Sequence, residues 1–113
     1  MCIRDRFTLE DAVRRITDVP ARLLGLRGRG RVARGHEADL FVFDPDTVAT
    51  APTTARRDLP GGAERLSADA IGVEHVFVGG VATVHGSQLT GALPGTALRS
   101  GRDTDTVKVP GGR

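Results

Sequence analysis

Two stretches decide the fold: ADLFVFD (38–44) and GVEHVFVGGVATVHG (72–86). In the first, Leu40, Phe41, Val42 and Phe43 run without a polar break, the pattern of a strand buried on both faces, and Asp44-Pro45-Asp46 stops it in a turn. In the second, Val73 to Val78 and Val81 to His85 flank Gly79-Gly80. Two glycines between β-branched runs are the signature of a tight hairpin whose central residues take positive φ. A small sheet of about four strands is therefore expected.

Upstream of the sheet the periodicity changes from two to 3.6. Leu9, Ala12, Val13 and Ile16 fall at i, i+3, i+4 and i+7, so they gather on one helical stripe while Glu10, Asp11, Arg14 and Arg15 face away. Thr8 is the expected N-cap, with Asp11 three residues on as a shortened capping box. A second short helix capped by Asp18 is expected, with Pro20 in its first turn and Gly25 as a left-handed terminator. RGRGRVARG (27–35) reads as a basic, glycine-punctuated loop with a brief strand at Arg31 to Ala33.

Residues 49–70, rich in Thr, Ala, Pro and Arg, exceed an ordinary connection and are expected to wrap across a surface. From Gly101 the chain reads as a frayed tail with at most a short edge strand at Val107 to Val109. The fold class is α+β: N-terminal helices followed by a small antiparallel-rich sheet.

Composition limits what such a chain can be. At 113 residues it is less than half of the roughly 250 needed for a complete (β/α)8 barrel. Four Phe and no Trp or Tyr leave an aliphatic core. One Cys, Cys2, cannot form an internal disulfide, and no apolar run approaches the ~18 residues that cross a bilayer, so a cytoplasmic location is expected. Residues 1–35 carry nine Arg against four acids, a net +5 inside a chain of net +2. A nucleic-acid surface would need several stacking aromatics, and this basic stretch holds only Phe7, so a solvated helix face and loop is preferred, with no nucleic-acid partner.

Chemistry-bearing residues are sparse. Metal centres require three or four converging His, Cys, Asp or Glu ligands, and the only histidines are His36, His75 and His85, none in an H-x-H or H-x-x-x-H pair. His75 and His85 sit in opposite hairpin strands and could approach across the ladder, but without a third ligand nearby they read as half-exposed strand histidines. None of Ser67, Ser87 and Ser100 occupies a G-x-S-x-G elbow. Gly28, Gly30 and Ala33 match G-x-G-x-x-A only superficially, since that loop follows a helix and precedes a strand. Lys108, the only lysine, is followed by Val, which excludes a Walker loop. Glu10 with Asp11, and Asp44 with Asp46, have structural reasons at a helix start and a proline turn. Asp39, entering an apolar strand, needs a partner, and Arg31 or Arg34 is expected to supply it. No catalytic, cofactor-binding or metal residue is assigned.

FTLEDAVRRITDVPARLLGL (7–26), GRVARGHEADLFVFDPDTV (30–48) and GVEHVFVGGVATVHGSQLTGALPGTALRSG (72–101) together resemble the C-terminal end of the metal-dependent amidohydrolase superfamily, and within it the D-aminoacylase, or N-acyl-D-amino-acid deacylase, branch. The resemblance implies that 7–26 are the terminal helices of a TIM barrel and that 27–101 are part of a composite β-sandwich domain, with 102–113 a flexible tail. Residues 1–6 (MCIRDR) depart from the pattern and read as a non-native leader.

It further implies hydrolysis of a non-peptide C–N bond by a zinc-activated water in the full-length protein, whose ligands and catalytic Asp precede the matched region. This chain would then be a scaffold fragment that binds no zinc itself. Its partners would be the missing N-terminal barrel and sandwich strands, with a small-molecule substrate in the parent and no membrane contact. Two other readings remain: a fragment of a cyclic-amide hydrolase of the dihydroorotase or hydantoinase type, and a free-standing β-rich interaction module.

Overall fold

A computed structural model describes residues 6–108. The described residues open with two short helices, α1 (Leu9–Ile16) and α2 (Asp18–Leu23). Thr8 caps α1 as expected: its Oγ1 accepts the Asp11 N–H at 3.2 Å. The Asp11 carboxylate does not reach back to complete the box; it meets Arg15 Nε at 2.8 Å, one turn on. The N-cap of α2 is Thr17, whose hydroxyl donates to the Val13 carbonyl at 2.7 Å and so ties the bend to α1. Asp18 is thus the first residue of α2 rather than its cap, and it pairs with Arg22 at 3.0 Å.

The loop that follows contains no strand. Residues 31–33 lack ladder partners because Gly28, Gly30 and Gly35 all take positive φ, and the Glu37 N–H bonds the Gly28 carbonyl at 2.8 Å, closing the loop on itself.

Among the described residues eight strands follow: β1 (Leu40–Phe43), β2 (Ala49–Thr50), β3 (Thr54–Arg56), β4 (Arg65–Ser67), β5 (Ala70–Ile71), β6 (Val73–Val78), β7 (Val81–His85) and β8 (Gln88–Leu89). The main sheet is four-stranded, in the order β1-β6-β7-β8, with every neighbour antiparallel. The hairpin joining β6 and β7 turns at Gly79 and Gly80, whose φ values of +56° and +80° are the conformation the sequence demands.

Residues 49–71 form a two-stranded arm instead of wrapping over the surface. β2 pairs with β5 and β3 with β4, around a tip containing a 3-10 turn at Pro60–Gly62. Its ladder is reinforced by side-chain charge: Arg56 with Asp69 at 2.6 Å, Arg57 with Glu64 at 3.1 Å, and Arg65 with Asp58 at 2.7 Å. The backbone closes on itself, so the segment needs no surface to satisfy its N–H groups.

The segment expected to trail from residue 102 is tied down as far as Asp105. Leu26 and Thr104 form an antiparallel bridge, and the Asp105 N–H bonds the Gly25 carbonyl at 2.8 Å. Residues 107 and 108 carry no strand, and Val109 lies outside the described residues.

Core is scarce. Among the described residues only Ala21 is a buried hydrophobic, while Phe41 is 41% exposed, Leu23 71% and Leu93 95%. The chain exposes 9253 Å², against roughly 6,000 Å² for a folded monomer of this mass. Its radius of gyration is 17.1 Å, against about 13 Å for a compact domain of this length.

Alternation explains where the apolar area lies. The β1–β6 register places Leu40 opposite Phe77 and Val42 opposite His75 on one face, and Phe41 opposite Val76 on the other. Phe41 and Phe43 stack with ring centroids 5.0 Å apart. The sheet is apolar on both faces but not buried on both as the unbroken LFVF run predicts: Leu40, Phe41 and Val42 stay exposed, because α1 and α2 pack on each other rather than on it.

Candidate functional site

The residues able to carry chemistry are dispersed over the described structure. His36 lies in the closed loop, with its Nδ1 3.5 Å from the Arg34 carbonyl oxygen. Asp39 stands where β1 begins, and its partner is Arg29, not Arg31 or Arg34. Arg31 instead lies 3.9 Å from Asp18, and it is Arg29, nearer the loop's closure, that swings back to the strand. No spacing rule singles out one arginine among four in a glycine-rich loop, so the sequence could not choose it. The other oxygen of Asp39 accepts the Gly79 N–H at 2.8 Å, so this carboxylate joins the loop, β1 and the hairpin turn.

Both expected carboxylate pairs lie at structural positions, a turn and a helix start. Asp44 Oδ1 accepts the Asp46 N–H at 2.9 Å and Oδ2 accepts the Thr47 hydroxyl at 2.9 Å, an Asx turn that ends β1. Glu10 and Asp11 occupy the first turn of α1, where negative charge meets the helix dipole. The Ser87 hydroxyl donates to the Val73 carbonyl at 3.0 Å and is thereby engaged in holding the β7–β8 turn. Cys2 lies outside the described residues.

One pair of potential ligands does meet. His75 and His85 approach across the β6–β7 ladder with ring centroids 4.8 Å apart, and the Gly86 N–H donates to His75 Nδ1 at 3.3 Å. Among the described residues no group of three or more His, Cys, Asp or Glu converges. The donor set for a hydrolytic metal, three protein ligands with an open position, is therefore not furnished by these residues.

Two carboxyls, Asp58 and Asp103, are lowered from the ordinary carboxylate range, and both are remote from any deep cleft. The Arg65 guanidinium, bonded to Asp58 on the arm, holds that carboxyl below its ordinary range. Asp103 is lowered by Arg102 and by the Arg99 backbone N–H. Both are exposed structural ion pairs. The clefts are open: one of about 600 Å³ is lined by Arg14, Asp18, Val19, Arg22, Leu23 and Val107, and a second of about 340 Å³ lies between Val78 and the 91–95 segment. Neither brings a nucleophile together with a base. No described helix is long and apolar enough to cross a membrane.

The sequence matches known proteins over most of its length. Residues 2–84 fit the amidohydrolase family. An N-acyl-D-glutamate deacylase of Alcaligenes xylosoxydans xylosoxydans is 42% identical over 103 residues, covering 91% of this chain and 19% of that protein. A D-aminoacylase of the same organism is 37% identical over 92 residues, covering 81% of this chain and 17% of that protein. The chain thus spans less than a fifth of the length of the curated relatives it matches. No solved structure matches it.

Proposed function

The chain belongs to the amidohydrolase family, on its D-aminoacylase-like branch, and we propose that it serves there as a scaffold portion of a hydrolase of N-acyl-D-amino acids. The observation that carries this reading is the surface. A chain exposing 9253 Å², with a sheet apolar on both faces, has the makings of a core whose other half is elsewhere.

In this reading the remainder of a longer polypeptide covers these faces. The stripe of Leu9, Val13 and Ile16 packs on a barrel, residues 27–101 complete a composite sandwich, and the protein works in the cytoplasm on a small-molecule substrate. In this reading the zinc expected of such an enzyme is held by residues of the longer polypeptide; among the described residues no group of three His, Cys, Asp or Glu converges. No catalytic step is assigned to any residue of the 113. What they contribute is the position of the backbone on which the rest is built.

The substrate class rests on the names of the two relatives, both of which act on acylated D-amino acids. Their matched segments offer a direct test. Residues 7–108 are grafted in place of the corresponding segment of the N-acyl-D-glutamate deacylase, and deacylation of an N-acyl-D-glutamate is measured. The graft is expected to retain activity, and the 113-residue chain alone to have none. Deacylation by the purified chain alone would overturn the reading, as would a soluble, folded graft that is inert.

A further inference from the structure

The His75–His85 pair is used by none of the foregoing. The two residues stand one step beyond the Val76↔Val84 pair of the β6–β7 ladder, on the same face, with ring planes inclined by 47° and centroids 4.8 Å apart. Two imidazoles sharing one ion through nitrogens about 2.0 to 2.1 Å from it place their ring centroids roughly 4.6 Å apart for a right-angled N–metal–N and about 5.2 Å apart for a tetrahedral one. The observed separation lies between these limits. Antiparallel pairing fixes both Cα positions, so the rings need not be gathered from separate loops.

We propose that His75 and His85 form an open, two-imidazole anchoring site for a borderline divalent transition ion, Cu²⁺ ahead of Zn²⁺. That order follows the general affinity series for nitrogen ligands, since nothing in the pair imposes a geometry favouring zinc. Water or donors outside the chain complete the coordination. Two donors assign the site no catalysis.

A neutral imidazole has one free lone pair, and on His75 it is turned toward the Gly86 N–H, 3.3 Å from Nδ1. A metal that takes either nitrogen of His75 ends this contact: it replaces the N–H at Nδ1, or it moves the ring proton there from Nε2. Release of the Gly86 amide is therefore a specific mark of binding at this pair. The Phe77 ring, 6.3 Å from that of His75, continues the same face toward β1.

The test uses the full 113-residue chain carrying Cys2→Ser, so that no thiol competes. Zinc chloride is titrated with imidazole and amide resonances observed, and copper(II) sulfate is titrated calorimetrically. One ion per chain is expected, with the His75, His85 and Gly86 signals moving and those of His36 unmoved. His75→Gln and His85→Gln should each weaken binding at least tenfold, and His36→Gln should not. Far-UV circular dichroism of each variant checks that the hairpin persists, and the more exposed His85→Gln carries the test should His75→Gln unfold it. Absence of binding at millimolar metal, movement of one imidazole only, or unchanged affinity in a folded variant would overturn the proposal.

Discussion

Asp39 holds the N–H of Gly79 at 2.8 Å, forty residues away in the chain, at the point where β1 meets the hairpin turn. Beside that bond the Gly80 N–H donates to the Ala38 carbonyl at 3.0 Å, and the second carboxylate oxygen takes Arg29. One side chain thus fixes the register between the sheet's first strand and its central hairpin, because a one-residue slip would remove both contacts and turn LFVF over. Asp39→Ala should cost about 1 to 2 kcal/mol, the range for a charge-assisted bond at a half-exposed site, and Asp39→Asn less, since the amide oxygen can still accept from Gly79. Urea unfolding followed by far-UV circular dichroism measures this; the chain has no Trp or Tyr to report by fluorescence. Equal stability of all three proteins would refute the register role.

Gly25 lies at φ +66°, and a Cβ there would stand 2.1 Å from the Asp105 carbonyl oxygen. Gly25→Ala should strain the backbone and expel the 103–105 segment, costing on the order of 1 to 2 kcal/mol and speeding exchange of the Asp105 amide. Gly95 has open space around its Cβ position and no positive φ, so Gly95→Ala should be neutral or slightly stabilising. If the two substitutions behave alike, the anchoring of residues 103–105 to Gly25 is not a stabilising contact.

Acid should loosen the arm and the 99–103 turn. Hydrogen bonds from Arg65 and Arg102 lower the carboxyls of Asp58 and Asp103. A carboxyl whose folded value is depressed contributes stability that is complete above its unfolded value, near 3.8, and is lost as pH falls through the lower folded value. The loss is therefore expected below about pH 4 and not between pH 5 and 8. Because both groups are exposed, 1 M salt should shrink it. An Asp58→Asn chain whose arm amides show an unchanged acid response would show that this pair does not hold the arm.

The exposed sheet should bind a hydrophobic dye in native buffer, and its melting should be broad. A calorimetric scan with a sharp two-state transition, together with absent dye fluorescence, would contradict the scaffold reading and favour a self-sufficient module.

Where a signal was local, the sequence disclosed it. Thr8 capped α1, and Gly79-Gly80 turned the hairpin, because each is decided by a few adjacent residues and their φ. LFVF likewise disclosed a strand, though not its burial: Leu40, Phe41 and Val42 are exposed where both faces were expected to be covered. What escaped were pairings across distance. Thr54 meets Ser67 and Arg56 meets Arg65 across a tip whose own residues signal only a turn, and strands of three mostly polar, mostly exposed residues carry no hydrophobic alternation. The choice of Arg29 for Asp39 was hidden similarly, since it depends on how the loop closes at Gly28. His75 opposite His85 was visible once the hairpin was drawn; the distance between the rings was not.

Among the described residues strand β1 pairs with β6 on one side only, and its other backbone edge runs along four apolar residues with no lysine or proline to guard it, broken only by the irregularity between Val42 and Phe43. Such a border recruits any extended chain that comes near, including copies of itself. Overproduced in isolation, this polypeptide should accumulate as inclusion bodies, and lysine placed in the middle of that border should raise its yield in the supernatant.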